Sequence, residues 1–262
     1  MSPAARLASR PALAVSAALL ALTLGLSGCA TTPTATSDPS PVPAPVAEPK
    51  LMPADPLSGT GPSGQFPGDE FPIPTDARSL VLEFACEGGS FFQVEIGDSM
   101  ALGQDPLTGS CDGSTELAWP ISSRTQPTIQ VWTGDEVEWV ATPTFSTAEF
   151  VTDEALAADC SGLVDVYSAI TNAEEGFVTY KAFGREEWTT RMTDAIDALK
   201  ALAAASTSNV SSDLATISQG LPVLDDVEPG QIRSDLYSQL DPIGRRCAMN
   251  HTPLVVNAEL GG

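Results

Sequence analysis

The stretch RSLVLEFACEGGSFFQVEIGDSM (Arg78–Met100) contains two runs of alternating apolar and polar residues, separated by a Gly-Gly pair. Successive side chains of a strand point to opposite faces, so this alternation is typical of strands with one buried face. In the first run the buried face would carry Leu80, Leu82, Phe84 and Cys86. In the second run the alternation opposes Phe92, Val94 and Ile96 to Phe91, Gln93 and Glu95. The stretch therefore predicts two consecutive core strands that turn at Gly88-Gly89.

The same texture continues through residues 71–150. Further short apolar runs are TELAWPI, TIQVW and VEWVAT, and the segments between them (GQDPLTG, CDGS, TGDE) are rich in turn-forming residues. Pro120 and Pro127 indicate strand ends or sheet edges, since proline cannot donate to a ladder. Thr133–Glu136 is predicted to form a hairpin turn. Five or more short strands with this spacing predict an antiparallel β-sandwich domain.

Residues 151–262 change to helical periodicity. Apolar residues recur at helical spacing after Thr152, a predicted N-cap, and again from Arg185 to Ser206. A third helix is predicted from Ser211 or Ser212 to about Gln219, and a fourth from Gln231 to Leu240, ended by Asp241-Pro242. Residues 252–260 (TPLVVNAEL) are expected to form a strand or an extended tail. The predicted fold class is α+β: an antiparallel β-sandwich followed by a small bundle of short antiparallel helices.

The first 28 residues have the character of an export signal. Arg6 and Arg10 precede an uncharged Ala- and Leu-rich run, which is too short to span a bilayer comfortably. Leu26-Ser27-Gly28-Cys29 resembles the lipobox of bacterial lipoproteins at all four positions. The resemblance implies cleavage before Cys29 and diacylation of that residue. The predicted location is therefore the extracytoplasmic side of the cell membrane, with the lipid on Cys29 as the membrane contact.

Residues 29–70 are predicted to be a disordered tether. The segment is dominated by Pro, Ser, Thr, Ala and Gly, and has too few large apolar residues to offset its chain entropy. Gly59–Gly64 (GTGPSG) fits a dinucleotide-binding pattern, but the pattern requires a strand before it and a helix after it. We therefore interpret it as tether sequence.

The cysteines other than Cys29 are predicted to form disulfides. Four cysteines allow three pairings. Two lie in each predicted domain, so the simplest arrangement is Cys86–Cys111 and Cys160–Cys247. Disulfides persist outside the cytoplasm, where the lipobox places the chain. A zinc site would require closely spaced Cys or His ligands, and the sequence contains no such pair and a single histidine.

Composition excludes some classes of partner. Without the signal peptide the chain has 10 basic and 34 acidic residues, a net charge of −24. Such a chain is unsuited to nonspecific binding of nucleic acid or anionic lipid. Trp132 is in phase with polar residues of its strand, which makes it the candidate ligand-facing aromatic residue. It could stack on a sugar or pack against a neighbouring domain.

No set of catalytic residues is evident. His251 is the only histidine, and the motifs G-x-S-x-G, H-E-x-x-H and S-x-x-K do not occur. No cofactor or metal motif is found. The favoured hypothesis is a non-catalytic envelope lipoprotein that binds another envelope protein or a glycan. The alternative is a glycan-processing hydrolase with two carboxylates about 5 to 9 Å apart in a cleft.

Overall fold

Residues 48–63, 66–222, 224 and 227–260 are described by a computed structural model. The predicted signal peptide, Cys29 and the first part of the predicted tether lie outside this range. Their assignment stays a prediction.

In the described part of the chain, nine strands form two antiparallel sheets. The bounds are β1 Leu51–Pro53, β2 Leu57–Thr60, β3 Asp69–Glu70, β4 Ser79–Glu87, β5 Phe92–Ile96, β6 Leu107–Gly109, β7 Asp112–Pro120, β8 Thr128–Trp132 and β9 Glu138–Ser146. One sheet has the order β1-β9-β4-β7, with β2 also paired to β9, and the other has the order β3-β8-β5-β6. Apolar residues of both sheets form one buried cluster. The predicted β-sandwich is confirmed.

The Arg78–Met100 stretch supplies a central strand to each sheet. β4 lies between β7 and β9, and β5 lies between β6 and β8. Leu80, Leu82 and Phe84 are fully buried, as are Phe92 and Val94. The Gly88-Gly89 turn therefore carries the chain from one sheet to the other. Gly88 has a φ of 82°, a conformation that glycine adopts without a steric penalty.

Two sequence predictions in this region are wrong. Strands β1, β2 and β3 lie within residues 51–70, so the predicted tether cannot extend to residue 70 as a disordered segment. β1 and β2 complete the hydrogen bonds of β9, and the indole of Trp139 donates to the Gly61 carbonyl at 2.9 Å. Composition does not reveal this stabilisation, because the partner strand lies about 80 residues away. Thr133–Glu136 is not a hairpin turn, since β8 and β9 belong to different sheets.

The helices are α1 Ser99–Leu102, α2 Glu154–Val178, α3 Arg185–Ala205, α4 Ser211–Gly220 and α5 Gln231–Met249. The predicted third helix is confirmed. The N-cap of α2 is Asp153 and not Thr152, because the Asp153 carboxylate accepts from the Leu156 N–H at 3.0 Å. The prediction that the helices are short is wrong for α2 and α3, which have 25 and 21 residues.

The prediction that α5 ends before Pro242 is also wrong. Proline removes one intrahelical hydrogen bond, which normally ends or kinks a helix. Here Leu240, Ile243 and Cys247 follow one another at helical spacing and are all buried, and Cys247 is bonded to Cys160 on α2. Tertiary packing of that face continues the helix through the proline.

Both predicted disulfides are present. The Cα atoms of Cys86 and Cys111 are 4.9 Å apart, and those of Cys160 and Cys247 are 5.8 Å apart. Both distances are in the usual range for a disulfide. The first bond joins the end of β4 to the segment before β7, and the second joins α2 to α5. Each lies within one of the two predicted domains.

The sandwich and the helices are in direct contact. Ala248 of α5 packs into the sandwich core. His251, which follows α5, places its Nε2 atom 2.8 Å from the Ala118 carbonyl of β7, and its ring meets Phe150 edge-on. The side chain of Asn250 accepts from the N–H of Asp153 and donates to its carbonyl. These contacts fix the end of α5 to the start of α2 and to the sandwich.

Candidate functional site

An open groove runs between helices α2 and α3. The two helices are antiparallel: Gly162, near the start of α2, lies against Leu202, near the end of α3. A Cβ atom at Gly162 would stand 2.7 Å from the Leu202 Cδ1 atom, so a larger residue there would displace the Leu202 side chain. The apolar residues that line the groove are Gly162, Val166 and Ala169 on α2 and Ala195, Ala198 and Leu202 on α3. We call this surface, of about 470 Å³, the α2–α3 groove.

The charged residues of the α2–α3 groove are unevenly paired. Asp165 and Asp194 are exposed, and neither has an ion-pair partner within the described residues. At one end of the groove Arg191 pairs with Glu187 at 3.0 Å and with Glu259 at 2.9 Å. The hydrogen bond to Glu259 raises the pKa of Arg191. The two aspartates therefore give the groove an uncompensated negative charge, whereas the charge of Arg191 is already balanced.

Residues 252–260, which we call the C-terminal strap, follow α5, and residues 257–260 lie against α2 and α3 beside the groove. The strap is extended and pairs with no strand among the described residues. Asn172 of α2 is buried, and its side chain donates to the Asn257 carbonyl at 2.8 Å and accepts from the Glu259 N–H at 2.9 Å. Ser168 accepts from the Asn257 N–H at 2.9 Å. Of the two predicted alternatives, a strand or an extended tail, the structure shows the extended tail, and side chains of α2 hold it.

A buried carboxylic acid lies at the far end of α2. Glu174 is 1% exposed, and neither carboxylate oxygen has a hydrogen-bond partner among the described residues. It borders a cavity of about 40 Å³ at the start of α5, where Gly230 and Arg233 form part of the wall. Burial raises the pKa of Glu174 to about 7, although the nearby Gly230 N–H, the Arg233 guanidinium and the Ile232 N–H oppose the shift.

A second open surface lies on the sandwich beside the Cys86–Cys111 disulfide. Its walls include the buried indole of Trp139 and the exposed carboxylates of Glu87, Glu136 and Glu138. The cavity has a volume of about 600 Å³. All three carboxylates are exposed to solvent.

Of the residues singled out by sequence, the four disulfide cysteines are structural, and Cys29 lies outside the described residues. The strand phase of Trp132 predicts an exposed face, but the side chain is partly buried, opposite Gln93 of β5, and lines neither of the two open surfaces. Its neighbour in phase, Gln130, is itself buried, so that face of β8 is covered. Trp132 is therefore only partly exposed, and its role as a ligand-facing residue stays a prediction. Burial lowers the pKa of His251, whose ring joins the helices to the sandwich.

Sequence reasoning missed the α2–α3 groove, the strap contacts and Glu174. The signal for the groove is a recurrence of small residues at helical spacing, namely Gly162 and Ala169 on α2 and Ala195 and Ala198 on α3. In the sequence alone these residues indicate only a tendency to form helix. The contacts of Asn172 and Glu174 carry no local signal.

Among the described residues, no group of three or more His, Cys, Asp and Glu side chains is placed to hold a metal ion. No helix in the same part of the chain is long and apolar enough to cross a membrane. Comparison with protein-family models and with curated proteins finds no match to this chain.

Proposed function

We propose that this protein is a lipid-anchored extracytoplasmic lipoprotein whose folded part binds another component of the cell envelope without catalysing a reaction. Two features support the location: the lipobox at Leu26–Cys29 and the two disulfides, which persist in oxidising compartments. The observation that carries the binding function is the α2–α3 groove.

The groove has the features of a docking surface. Small side chains leave a concave apolar floor, and apolar surface that stays open to water favours association. Asp165 and Asp194 border this floor without ion-pair partners within the described residues. A chain of net charge −24 also repels anionic ligands over long distances. The partner chemistry that fits is a protein segment with small apolar side chains and a neighbouring basic residue.

The hydrolase alternative has less support. The buried acid with a pKa of about 7, Glu174, borders a cavity of only about 40 Å³, which has room for water but not for a sugar ring. Asp105 also has a pKa raised by burial, but it lies in the loop before β6, remote in sequence from Glu174. The cavity beside Glu174 is too small for a sugar, and the α2–α3 groove is large enough for a peptide, so binding is the function we propose.

Lipidation of Cys29 is tested by metabolic labelling in a bacterial host. We expect the full-length protein to incorporate labelled palmitate and to enter the detergent phase on Triton X-114 partition, because two acyl chains anchor a protein stably. The Cys29→Ser variant should incorporate no label. An uncleaved signal could retain this variant in the membrane, so the label and the mass of the N-terminal peptide are the deciding measurements. Equal labelling of both proteins contradicts the proposal.

Binding through the groove is tested with a matched pair of variants. Ala198→Arg places a long cationic side chain in the groove, whereas Ala204→Arg makes the same change at an exposed position of α3 outside the lining. Both should leave stability within about 0.5 kcal/mol of the parent. We expect gentle cross-linking in envelope extracts to capture one partner with the parent and with Ala204→Arg, and about tenfold less of it with Ala198→Arg. Equal capture by both variants would exclude the groove as the docking surface.

A further inference from the structure

The C-terminal strap is recognised in the way that an extended peptide is recognised. Asn172 donates to the carbonyl of one strap residue and accepts from the N–H of the residue two positions later. One side chain therefore bonds to both a carbonyl and an N–H of the strap main chain. Ser168, one helical turn earlier, accepts from the Asn257 N–H, and Arg191 of α3 pairs with the Glu259 carboxylate. Main-chain hydrogen bonds supply affinity in such complexes, and side-chain contacts supply specificity.

Leu254 of the strap packs against the helical core, but the residues that follow it make few buried contacts. Residues 255–259 are all exposed, and Val255 is 58% exposed, so releasing them uncovers little apolar strap surface. Leu260 contributes an apolar contact, since its Cδ1 atom lies close to Gly176 of α2. Segments with few buried contacts occupy the low-stability end of a protein's local opening reactions.

The base of the strap is fixed by contacts separate from those that hold residues 257–260. Asn250 is hydrogen-bonded to Asp153, and His251 is bound to the Ala118 carbonyl. Glu259 lines one end of the α2–α3 groove, which extends from there towards the start of α2 and away from Leu260, which lies at Gly176. The strap therefore lies at one end of the groove, and the groove itself is open.

We infer that the α2–α3 contact is a binding site for an extended peptide, that residues 255–260 are its resident ligand, and that a partner protein's peptide of similar chemistry replaces them. This inference depends on the proposed binding function and specifies the partner. The peptide must be extended at the positions whose main chain hydrogen-bonds to Asn172 and Ser168. It must carry a carboxylate where Glu259 meets Arg191, followed by an aliphatic residue where Leu260 lies. Any basic residue should lie on the side of the Glu259 equivalent that is opposite to the aliphatic residue, towards Asp165 and Asp194.

The test uses full-length chains and a fluorescent peptide, TPLVVNAELGG, that copies the strap. In the first protein, Asn257→Pro with Glu259→Arg releases the strap and leaves every residue of the site intact. Proline at position 257 lacks the N–H that donates a hydrogen bond to the Ser168 hydroxyl. Arginine at position 259 is repelled by the like charge of Arg191. The second protein carries the same two substitutions together with Asn172→Leu. The third protein is the parent chain.

The expected order of affinity follows from these contacts. The strap-released protein should bind the peptide most tightly by fluorescence anisotropy. The Asn172→Leu version should bind at least about tenfold more weakly, because it lacks two hydrogen bonds to the peptide main chain. The parent should also bind at least about tenfold more weakly, since its own strap competes at high effective concentration. A peptide with Arg in place of the Glu259 equivalent should bind more weakly to the strap-released protein.

Two outcomes would overturn the inference: no saturable binding to the strap-released protein, or equal binding with and without Asn172→Leu. Disulfide mapping first establishes that the strap-released protein is folded. If it is not, the parent is titrated with excess peptide and the amide hydrogen exchange of residues 255–260 is measured. Faster exchange of the strap then supports replacement, and unchanged exchange refutes it. The assay involves neither the lipid nor an envelope extract, so its failure is distinguishable from failure of the proposed function.

Discussion

Replacing both cysteines of the Cys160–Cys247 disulfide with alanine should destabilise the helices strongly, and by more than the loss of the other disulfide destabilises the sandwich. The bond closes a loop with a sequence separation of 87 residues. In the chain-entropy model such a loop restricts the unfolded chain by about 4.6 kcal/mol, which is an upper guide because strain and residual structure usually reduce it. Both residues are buried, so alanine also leaves small cavities at the contact between α2 and α5.

The matched control is the Cys86→Ala, Cys111→Ala variant. Its loop has a sequence separation of 25 residues, for which the same model gives about 3.5 kcal/mol. Urea unfolding should be followed both by far-ultraviolet circular dichroism, which is dominated by the helices, and by tryptophan fluorescence. We expect the Cys160–Cys247 pair to cause the larger loss, observed first in the helical signal. A larger loss from the shorter loop would contradict the entropic argument.

Replacing Glu174 with glutamine should stabilise the protein at alkaline pH and abolish part of its pH dependence. The pKa of Glu174 is about 7 when folded, above its ordinary value of 4.5. Between these values the folded state binds a proton that the unfolded state does not, so the free energy of unfolding falls as pH rises. This decrease in the free energy of unfolding is complete above pH 7 and amounts to at most about 3 kcal/mol. Below pH 4.5 both states are protonated and the penalty disappears.

Glutamine has nearly the same shape as protonated glutamate and carries no charge at any pH. At about pH 8 we therefore expect Glu174→Gln to be more stable than the parent by up to about 3 kcal/mol, and at about pH 4 to be equal to it. Glu175→Gln is the matched control, because Glu175 is a partly exposed neighbour that pairs with Arg233. That variant should lose at most about 1 kcal/mol at about pH 8. Parallel stability curves for Glu174→Gln and the parent across the range from about pH 5 to about pH 8 would show that the carboxylate is not desolvated.

Both of these predictions concern contacts between elements that are distant in the sequence. The disulfide could be predicted from the sequence, whereas the burial of Glu174 could not. The disulfides were predictable because cysteine has few roles outside the cytoplasm, and because the change from strand to helical periodicity near residue 150 sorted the four residues into pairs. Glu174 was not predictable. It is one of 34 acidic residues, and nothing in its neighbours indicates that the start of α5 covers it.

The sandwich and the helices illustrate the same difference. The core positions of β4, β5, α2 and α3 follow from periodicity, because a strand repeats every two residues and a helix about every 3.6. The strands β1 and β2 do not follow from it. Their own residues are Pro- and Gly-rich, and they become strands because β9 offers unpaired hydrogen-bonding groups. The continuation of α5 through Pro242 has a similar cause, since the buried face beyond the proline outweighs the lost hydrogen bond.

By itself, the sequence determined the properties that depend on local pattern or on the chemistry of single residue types. These are the α+β class, the order of strands before helices, the two disulfide pairs and, as a prediction, the lipid anchor on Cys29. Only the tertiary structure decided which surfaces are covered. It buried Glu174, covered part of Trp132, laid the C-terminal strap along α2 and left the α2–α3 groove open. The physical reason is that burial depends on which elements pack against each other. The free energy of that packing comes from many residues that are far apart in the chain.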